Sequence, residues 1–338
     1  MSYRSIRARA ARAGLHAPVA WLRHRGLDSN DVLIASHGRT GNTMMRFILG
    51  EILSGVPSTF DTIQRIVPEM GLQINARSIL PGGGRLIKTH EPYCRLYKRA
   101  IYMIRDVRDV LLSTFARETA ADCIHTSLDD YVRPFMQGKM SHWGSWQAHV
   151  EGWINSPLAQ SGDLLLVRFE DMRQDPEGEV GRCLEFLGKQ VDASVIQTAI
   201  RNNSLQGMRA KEDQSKKFPK VPGKEGRQIN QGTIGGWRQK LTDRQLEVVD
   251  EFAGDILARL NYPSSTSGRS AERKPPENIG QGRVNPANIH IQPAGTSVAW
   301  NLRQVSGNLQ AHRHQSDNRA LRTRVGGRIA NFFCWYHY

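Results

Sequence analysis

Residues 31–43 read DVLIASHGRTGNT, an apolar run followed by a short loop that contains glycine. Asp31–Ser36 is too short for a core helix and does not alternate with polar residues, which is typical of a buried parallel strand. Residues 44–53, MMRFILGEIL, then place apolar side chains at helical spacing. The stretch therefore predicts a strand, a loop and an amphipathic helix, an arrangement that presents backbone N–H groups and a helix N-terminus to a phosphate.

Three later segments have the same short, apolar character: Arg85–Thr89, Arg99–Ile104 and Asp163–Phe169. Helical patterns separate most of these segments, and two later helices carry explicit start signals, Asp175-Pro176 and the Thr242/Gln245 capping box. Strands that alternate with helices predict an α/β fold, a three-layer domain with a central parallel sheet.

The formal charge of +14 is concentrated at the two ends of the chain. Residues 1–30 hold six Arg and one Asp, and residues 263–338 hold ten Lys or Arg and three acids, so only +2 remains for residues 31–262. We predict a basic N-terminal extension (1–30), a folded domain (31–262) and a disordered basic tail (263–338). Because the predicted domain is almost neutral, nucleic acid is not expected as the main partner.

Cysteine usage and hydropathy restrict the class of protein further. The four cysteines form no C-x-x-C pair, and no histidine cluster has ligand spacing, so we expect no metal site. Few cysteines also indicate a reducing, cytoplasmic compartment. No apolar run reaches the length of a membrane span. The basic N-terminus is interpreted as a solvated extension, with an organelle transit peptide as the alternative.

Two motifs follow other predicted strands. RLIKTH (85–90) puts Lys88 and His90 on one strand face at the carboxyl end, where open α/β sheets bind their ligands. YMIRDVRDVLLS (102–113) brings Arg105 to the same edge, with Ser113 about two helical turns further on. Arg and a hydroxyl form a suitable pair for an oxyanion. The intervening Arg108-Asp109 is expected on a solvated face with local ion pairs.

The loop itself does not fit a Walker A motif, because the G-x-x-x-x-G-K-[ST] spacing fails and the cation, Arg39, precedes the second glycine. An ordinary glycine-containing β–α turn is the alternative interpretation of the loop alone. For His90 alone, the alternative is a histidine that only supports the structure.

In combination, these motifs resemble the PAPS-dependent sulfotransferases, and the pattern is closest to the cytosolic-type domain. The family pattern S-x-x-[KR]-[ST]-G-x-T, K-T-H and R-D-x-R-D-x-x-x-S is matched in order at 36–43, 88–90 and 105–113. Blocks at 138–150, 167–188 and 232–237 agree as well. The resemblance covers roughly residues 31–262. It implies an α/β fold whose strand–loop–helix is a P-loop-like site for the 5′-phosphosulfate.

The resemblance also implies roles for individual residues, with 3′-phosphoadenosine 5′-phosphosulfate (PAPS) as sulfonate donor and no metal. His90 corresponds to the general base, Lys88 to the transfer-site lysine and Arg39 to the loop cation. Arg105 and Ser113 correspond to the pair that binds the 3′-phosphate. The implied cofactor-binding set is Arg39, Thr40, Gly41, Asn42, Thr43, Arg105, Ser113 and Gly232. The implied partner is a small-molecule or glycan acceptor with a hydroxyl or amine.

Several positions depart from the family pattern. Met44 stands where cytosolic members have a tryptophan, and Phe169 stands where a tyrosine is frequent. Asn230-Gln231-Gly232 lacks the cations of the usual R-K-G, for which Lys220, Lys224 or Arg227 could substitute. These departures keep alternatives open: a weakly active or inactive nucleotide-binding protein of the same fold, a P-loop kinase, or a basic protein that docks on nucleic acid or an anionic membrane through its ends.

Overall fold

The computed structural model describes residues 21–141, 143–216 and 232–265. The predicted tail beyond residue 265, residues 1–20, Asn230-Gln231 and the three candidate substitute cations lie outside the described residues. Within the described ranges, the strands are β1 Val32–Ser36, β2 Leu86–Thr89, β3 Ala100–Ile104 and β4 Leu164–Arg168. The helices are α1 Asn42–Ser54, α2 Ile63–Ile66, α3 Val107–Ala120, α4 Leu128–Met136, α5 Trp146–Ile154, α6 Pro157–Ser161, α7 Phe169–Gln174, α8 Pro176–Phe186, α9 Ala193–Asn202, α10 Leu205–Gln214, α11 Trp237–Lys240 and α12 Asp243–Arg259.

The four strands form one parallel sheet in the order β2-β1-β3-β4. All of β1, β2 and β3 is buried, as expected for strands that are covered on both faces. Alternate residues contribute to two apolar clusters. Leu33 and Tyr102 belong to the cluster that includes α3, α5 and α12, whereas Ile34 and Met103 belong to the cluster that includes α1 and α8. The predicted three-layer α/β fold is confirmed.

The helix start signals in the sequence act as predicted. Asp175 accepts a hydrogen bond from the backbone of Gly178 at the start of α8, and Pro176 is the first helical residue. Thr242 and Gln245 form a complete capping box at the start of α12. In the part of the chain that the structure describes, no helix combines the length and apolarity needed to cross a membrane.

Both ends of the described chain contact the domain beyond the boundaries predicted from composition. Arg23 is buried and pairs with Glu91, one residue after the motif that contains His90. At the other end, the backbone oxygen of Pro263 and the hydroxyl of Ser265 both accept hydrogen bonds from the guanidinium of Arg108. The packed part of the chain therefore includes Arg23 and reaches Ser265.

Glu118 in α3 is a buried carboxyl group with an unusual environment. Its Oε2 accepts a hydrogen bond from Tyr131 at 2.8 Å, but its Oε1 has no hydrogen-bond partner. Burial raises the pKa of Glu118 from 4.5 to about 7. Because the folded protein favours the protonated form, the contribution of Glu118 to stability is present below pH 4.5 and is lost as pH rises through 7.

We therefore expect Glu118→Gln, which cannot ionise, to flatten the pH dependence of stability. Between about pH 5 and about pH 8 the free energy of unfolding should fall more in the wild type than in the variant. Urea unfolding at several pH values measures this difference. The contribution of the buried histidines to the pH dependence cancels in the comparison, because both proteins contain them. Parallel pH profiles would contradict the raised pKa.

Candidate active site

The loop between β1 and α1 contains two residues with positive φ angles, a backbone conformation that residues other than glycine seldom adopt. Arg39 and Gly41 have φ angles of 66° and 85°. A Cβ on Gly41 would lie 2.5 Å from Cδ2 of Phe169, so a larger residue would displace that ring. No acidic side chain occurs in the first turn of α1, and no side chain caps its N-terminus. The positive end of α1 is therefore available to an anion.

Two of the predicted loop residues use their side chains to build the loop. The Thr40 hydroxyl donates to the backbone oxygen of His37 at 2.9 Å. Asn42 Nδ2 donates to the oxygen of Ile34 at 3.1 Å and to Ser36 Oγ at 2.9 Å, which ties α1 to the end of β1. Both side chains are buried. Thr40 and Asn42 can therefore offer a phosphate their backbone N–H groups more readily than their side chains.

Arg39 and Arg105 come together on the other side of the loop. Arg39 Nε donates to Ser113 Oγ at 3.1 Å, so the loop cation reaches the predicted 3′-phosphate residue. Arg105 Nη1 donates to the backbone oxygen of Arg39 at 3.0 Å, and its Nη2 donates to the oxygen of Thr233 at 2.8 Å. The structure therefore gathers Arg39, Arg105 and Ser113 at one edge of the sheet.

Arg108 and Asp109 are buried, so the predicted solvated face is wrong, whereas the predicted local ion pair is present between Arg108 and Asp106 at 2.8 Å. Arg108 is 0% exposed and Asp109 is 4% exposed. The Asp109 carboxylate accepts hydrogen bonds from the backbone N–H groups of Gly235 at 2.7 Å and Trp237 at 3.1 Å. The physical reason is long-range: the segment that begins at Gly232 folds back over α3 and satisfies charges that look exposed in the local sequence.

Phe169 organises the site, although its sequence position suggested only the loss of a tyrosine hydroxyl. The guanidinium carbon of Arg105 lies 4.5 Å from the Phe169 ring centroid. The same ring lies against Gly41, and a Cβ on Gly232 would be 3.1 Å from its Cζ. One ring therefore contacts the β1–α1 loop, the segment that contains Gly232, and Arg105.

Lys88 and His90 stand at the carboxyl end of β2, as the sequence predicts. Lys88 Nζ pairs with Glu69 Oε1 at 3.2 Å. His90 Nδ1 lies 2.9 Å from the backbone oxygen of Ser36, which can only accept a hydrogen bond. Nδ1 therefore carries the proton, and Nε2 keeps its lone pair. Burial, assisted by the charge of Lys88, lowers the pKa of His90 to about 3, so the ring is neutral at pH 7.

A second histidine, His149, contacts the backbone of His90. His149 Nε2 lies 3.2 Å from the backbone oxygen of His90, and its Nδ1 lies 2.9 Å from the hydroxyl of Tyr102. A carbonyl accepts only, so Nε2 donates, and the tyrosine hydroxyl donates to Nδ1. His37 packs edge-on against His149 with 5.5 Å between ring centroids. Burial lowers the pKa values of His37 and His149 to about 4 and about 3.

The arrangement combines anion binding with a neutral proton acceptor. The α1 N-terminus, Arg39, Lys88 and Arg105 supply positive charge, and His90 supplies the free nitrogen. Among the described residues, no group of three or more His, Cys, Asp or Glu could hold a metal ion. Sequence reasoning missed Glu69 and Tyr102 and assigned no role to Asp109, because their roles depend on contacts that no local motif reports.

Comparison with known proteins identifies the same pattern. Residues 29–261 match the model described as the sulfotransferase domain. Mouse sulfotransferase 2A2 is 28% identical over 247 residues, covering 68% of this chain and 84% of that protein. Mouse sulfotransferase 1A1 is 27% identical over 261 residues, covering 69% and 86%.

Solved structures show the likeness of fold. Retinol dehydratase in complex with androsterone and the inactive cofactor PAP has a TM-score of 0.56 at 19% identity, over 76% of this chain and 85% of that chain. Mouse sulfotransferase SULT7A1 complexed with PAP has a TM-score of 0.52 at 19% identity, over 74% and 91%. With well over half of its residues matched to the sulfotransferase domain, and with the loop, strand ends and histidine in the family's order, this chain belongs to the sulfotransferase family.

Proposed function

We propose that this protein transfers a sulfonate group from PAPS to a hydroxyl or amine of a small-molecule or glycan acceptor. The observation that carries the proposal is the meeting of three features at one sheet edge. These are a helix N-terminus without acidic residues, the Arg39/Arg105/Ser113 group, and a neutral His90 whose Nε2 is unprotonated. Solved structures of the same fold that are complexed with PAP (adenosine 3′,5′-bisphosphate), one of a retinol dehydratase and one of a sulfotransferase, support the donor class.

The residues fit a nucleotide that bears phosphate at both its 3′ and 5′ ends. Arg105 is buried and its Nε has no hydrogen-bond partner among the described residues, so one guanidinium donor is unsatisfied there. An anion bound there would satisfy it. At the other end of the site, the β1–α1 loop and the N-terminus of α1 would offer backbone N–H groups to a phosphate. Ser113 and Arg105 would hold the 3′-phosphate, and the loop from Arg39 to Thr43 would hold the 5′-phosphosulfate.

Bound PAPS supplies an activated sulfonate. The acceptor atom forms a bond to sulfur on the side opposite the bond that breaks, and the released electron pair stays on the 5′-phosphate oxygen. His90 Nε2 takes the acceptor proton during attack, and Lys88 and Arg39 stabilise the negative charge that develops on the bridging oxygen of the leaving group. Alignment by these fixed groups supplies most of the acceleration, and the base adds about 10²–10⁴-fold.

Cofactor preference tests the donor assignment. We expect PAP and PAPS to bind roughly 10- to 100-fold more tightly than AMP, since a charge-assisted hydrogen bond to the 3′-phosphate contributes about 1.5–3 kcal/mol. Isothermal titration calorimetry measures this ratio, and Ser113→Ala should reduce it. Equal affinities for ATP, AMP and PAP would contradict the assignment and favour a kinase-like nucleotide site.

The acceptor pocket is expected between residues 55–84 and 114–136; in the second range, residues 121–127 connect α3 to α4, and connecting segments carry specificity in such folds. A screen of phenols, sterols, carbohydrates and amines with labelled PAPS identifies the acceptor class. Tight PAP binding without transfer to any of them would favour the alternative of an inactive nucleotide-binding protein.

A further inference from the structure

The segment around Glu69 is attached to β2 beside Lys88. The backbone N–H of Lys88 donates to the oxygen of Pro68 at 2.8 Å, and the N–H of Met70 donates to the oxygen of Lys88 at 2.8 Å. Arg46, buried in α1, donates from Nε to the oxygen of Val67 at 2.7 Å. Glu69 is therefore held by the backbone on both sides, at the edge strand that leads to His90.

The Glu69 carboxylate binds two cations through a single oxygen. Oε1 lies 3.2 Å from Lys88 Nζ and 3.3 Å from Arg46 Nη1. The charge of Lys88, against the opposing effect of burial, holds the pKa of Glu69 well below its ordinary value, so the carboxylate is ionised. Its side chain is still 30% exposed, whereas those of Lys88 and Arg46 are 9% and 5% exposed. The negative charge therefore lies beside Lys88 and remains accessible.

This placement has a consequence for any anion that approaches Lys88. A sulfonate at Lys88 brings its own negative charge towards Glu69, and two like charges at short range repel in a partly buried site. As the bond to the 5′-phosphate oxygen breaks, negative charge leaves the sulfonate for that oxygen. The repulsion from Glu69 then decreases. PAP has no sulfonate and does not meet this repulsion.

We propose that Glu69 is a positioning residue for Lys88 whose charge also opposes the donor sulfonate before transfer. Glu69 keeps the Lys88 ammonium at the transfer site, and it weakens the binding of PAPS relative to PAP. This inference rests on the proposed function. Glu69 lies outside the sequence motifs at 36–43, 88–90 and 105–113.

Glu69→Gln tests the charge while preserving an oxygen that can accept from Lys88. We expect the variant to bind PAPS about tenfold more tightly and to bind PAP within about twofold of the wild type, measured by calorimetry. With a confirmed acceptor, both KM for PAPS and kcat should fall, which is the signature of relieved ground-state repulsion. A purely structural role would change both ligands alike.

Glu51→Gln is a matched control on the same helix as Arg46. Glu51 accepts hydrogen bonds from Asn202 and Asn203 and lies 3.8 Å from Lys211 Nζ, so it is also a carboxylate paired with a lysine. We expect this control to lower the melting temperature and to leave the ratio of PAPS to PAP affinity unchanged. A shift of that ratio equal to the Glu69→Gln shift would overturn the proposal.

The remaining outcomes separate the two proposals. If wild type binds neither PAP nor PAPS, the proposed function fails and Glu69 loses its role with it. If both bind but Glu69→Gln weakens PAPS, or changes PAPS and PAP equally, only the Glu69 inference fails. Should Glu69→Gln not fold, Glu69→Asp is the second variant, because its shorter side chain moves the carboxylate away from Lys88 by the length of one methylene. We expect this variant to increase the affinity for PAPS by about threefold. No change in that variant would also overturn the proposal.

Discussion

Replacing His90 with alanine is expected to reduce turnover by about 10²–10⁴-fold while leaving the affinity for PAP within a few-fold of wild type. The reason is the placement of the ring. Nδ1–H is committed to the oxygen of Ser36, and Nε2 is the nitrogen left to accept the acceptor's proton. Arg39, Arg105 and Ser113, which we propose bind the cofactor, are linked to one another by hydrogen bonds that do not involve His90.

The measurement is steady-state turnover with an acceptor from the screen, together with calorimetric titration of PAP and a thermal melt. His125→Ala is a matched control, because the His125 side chain is 63% exposed and its Nε2 lies 3.6 Å from the exposed carboxylate of Asp122. Because His125 lies in the range proposed for the acceptor pocket, this control is used for thermal stability and PAP affinity, and it should retain both. Near-full activity of His90→Ala would show that another group takes the proton, and a joint loss of stability and PAP affinity would indicate a structural histidine.

Replacing Arg108 with methionine is expected to destabilise the fold by about 3–5 kcal/mol, because it leaves the buried carboxylate of Asp106 without its cation. Arg108 donates from Nε and Nη2 to the two oxygens of Asp106, each at 2.8 Å. Its guanidinium carbon lies 3.7 Å from the ring centroid of Trp237, and it also bonds Pro263 and Ser265. The substitution therefore removes an ion pair and the anchor of two distant segments.

For a domain of this size the expected loss corresponds to a fall in melting temperature of roughly 10 °C. Arg133→Met supplies the comparison, since Arg133 pairs with Glu251 on the surface, where ion pairs contribute little. Calorimetric melts of the two variants should differ clearly. A loss for Arg108→Met no greater than that for Arg133→Met would mean that Asp106 finds another partner.

The strand ends explain how much of the site could be predicted. Parallel strands bring their carboxyl ends to one edge of the sheet, so motifs at 36–43, 88–90 and 105–113 had to converge once the strands were identified. The structure places Arg39, Lys88, His90, Arg105 and Ser113 at that edge, as expected. Their roles towards PAPS remain predictions for the experiments above.

The errors and omissions share a different cause. We predicted that Arg108 and Asp109 form a solvated pair because their neighbours in sequence are charged or helical. The residues that cover them, Gly235 and Trp237, lie more than a hundred positions away in the chain. From the sequence, Phe169 suggested only that a hydroxyl is missing where the family frequently has tyrosine. In the structure its ring contacts Gly41 and Gly232. A local pattern carries no information about which distant segment packs above it.

The sequence by itself determined the layered α/β architecture, the strand–loop–helix of β1 and α1, and the residue types at the strand ends, because hydropathy period, capping residues and strand-end position are local properties. Only the tertiary structure decided which charges are buried, which nitrogen of His90 is free, and that Glu69 meets Lys88. Those properties depend on contacts between segments distant in the chain, where burial and hydrogen bonding set the charge and the tautomer of each group.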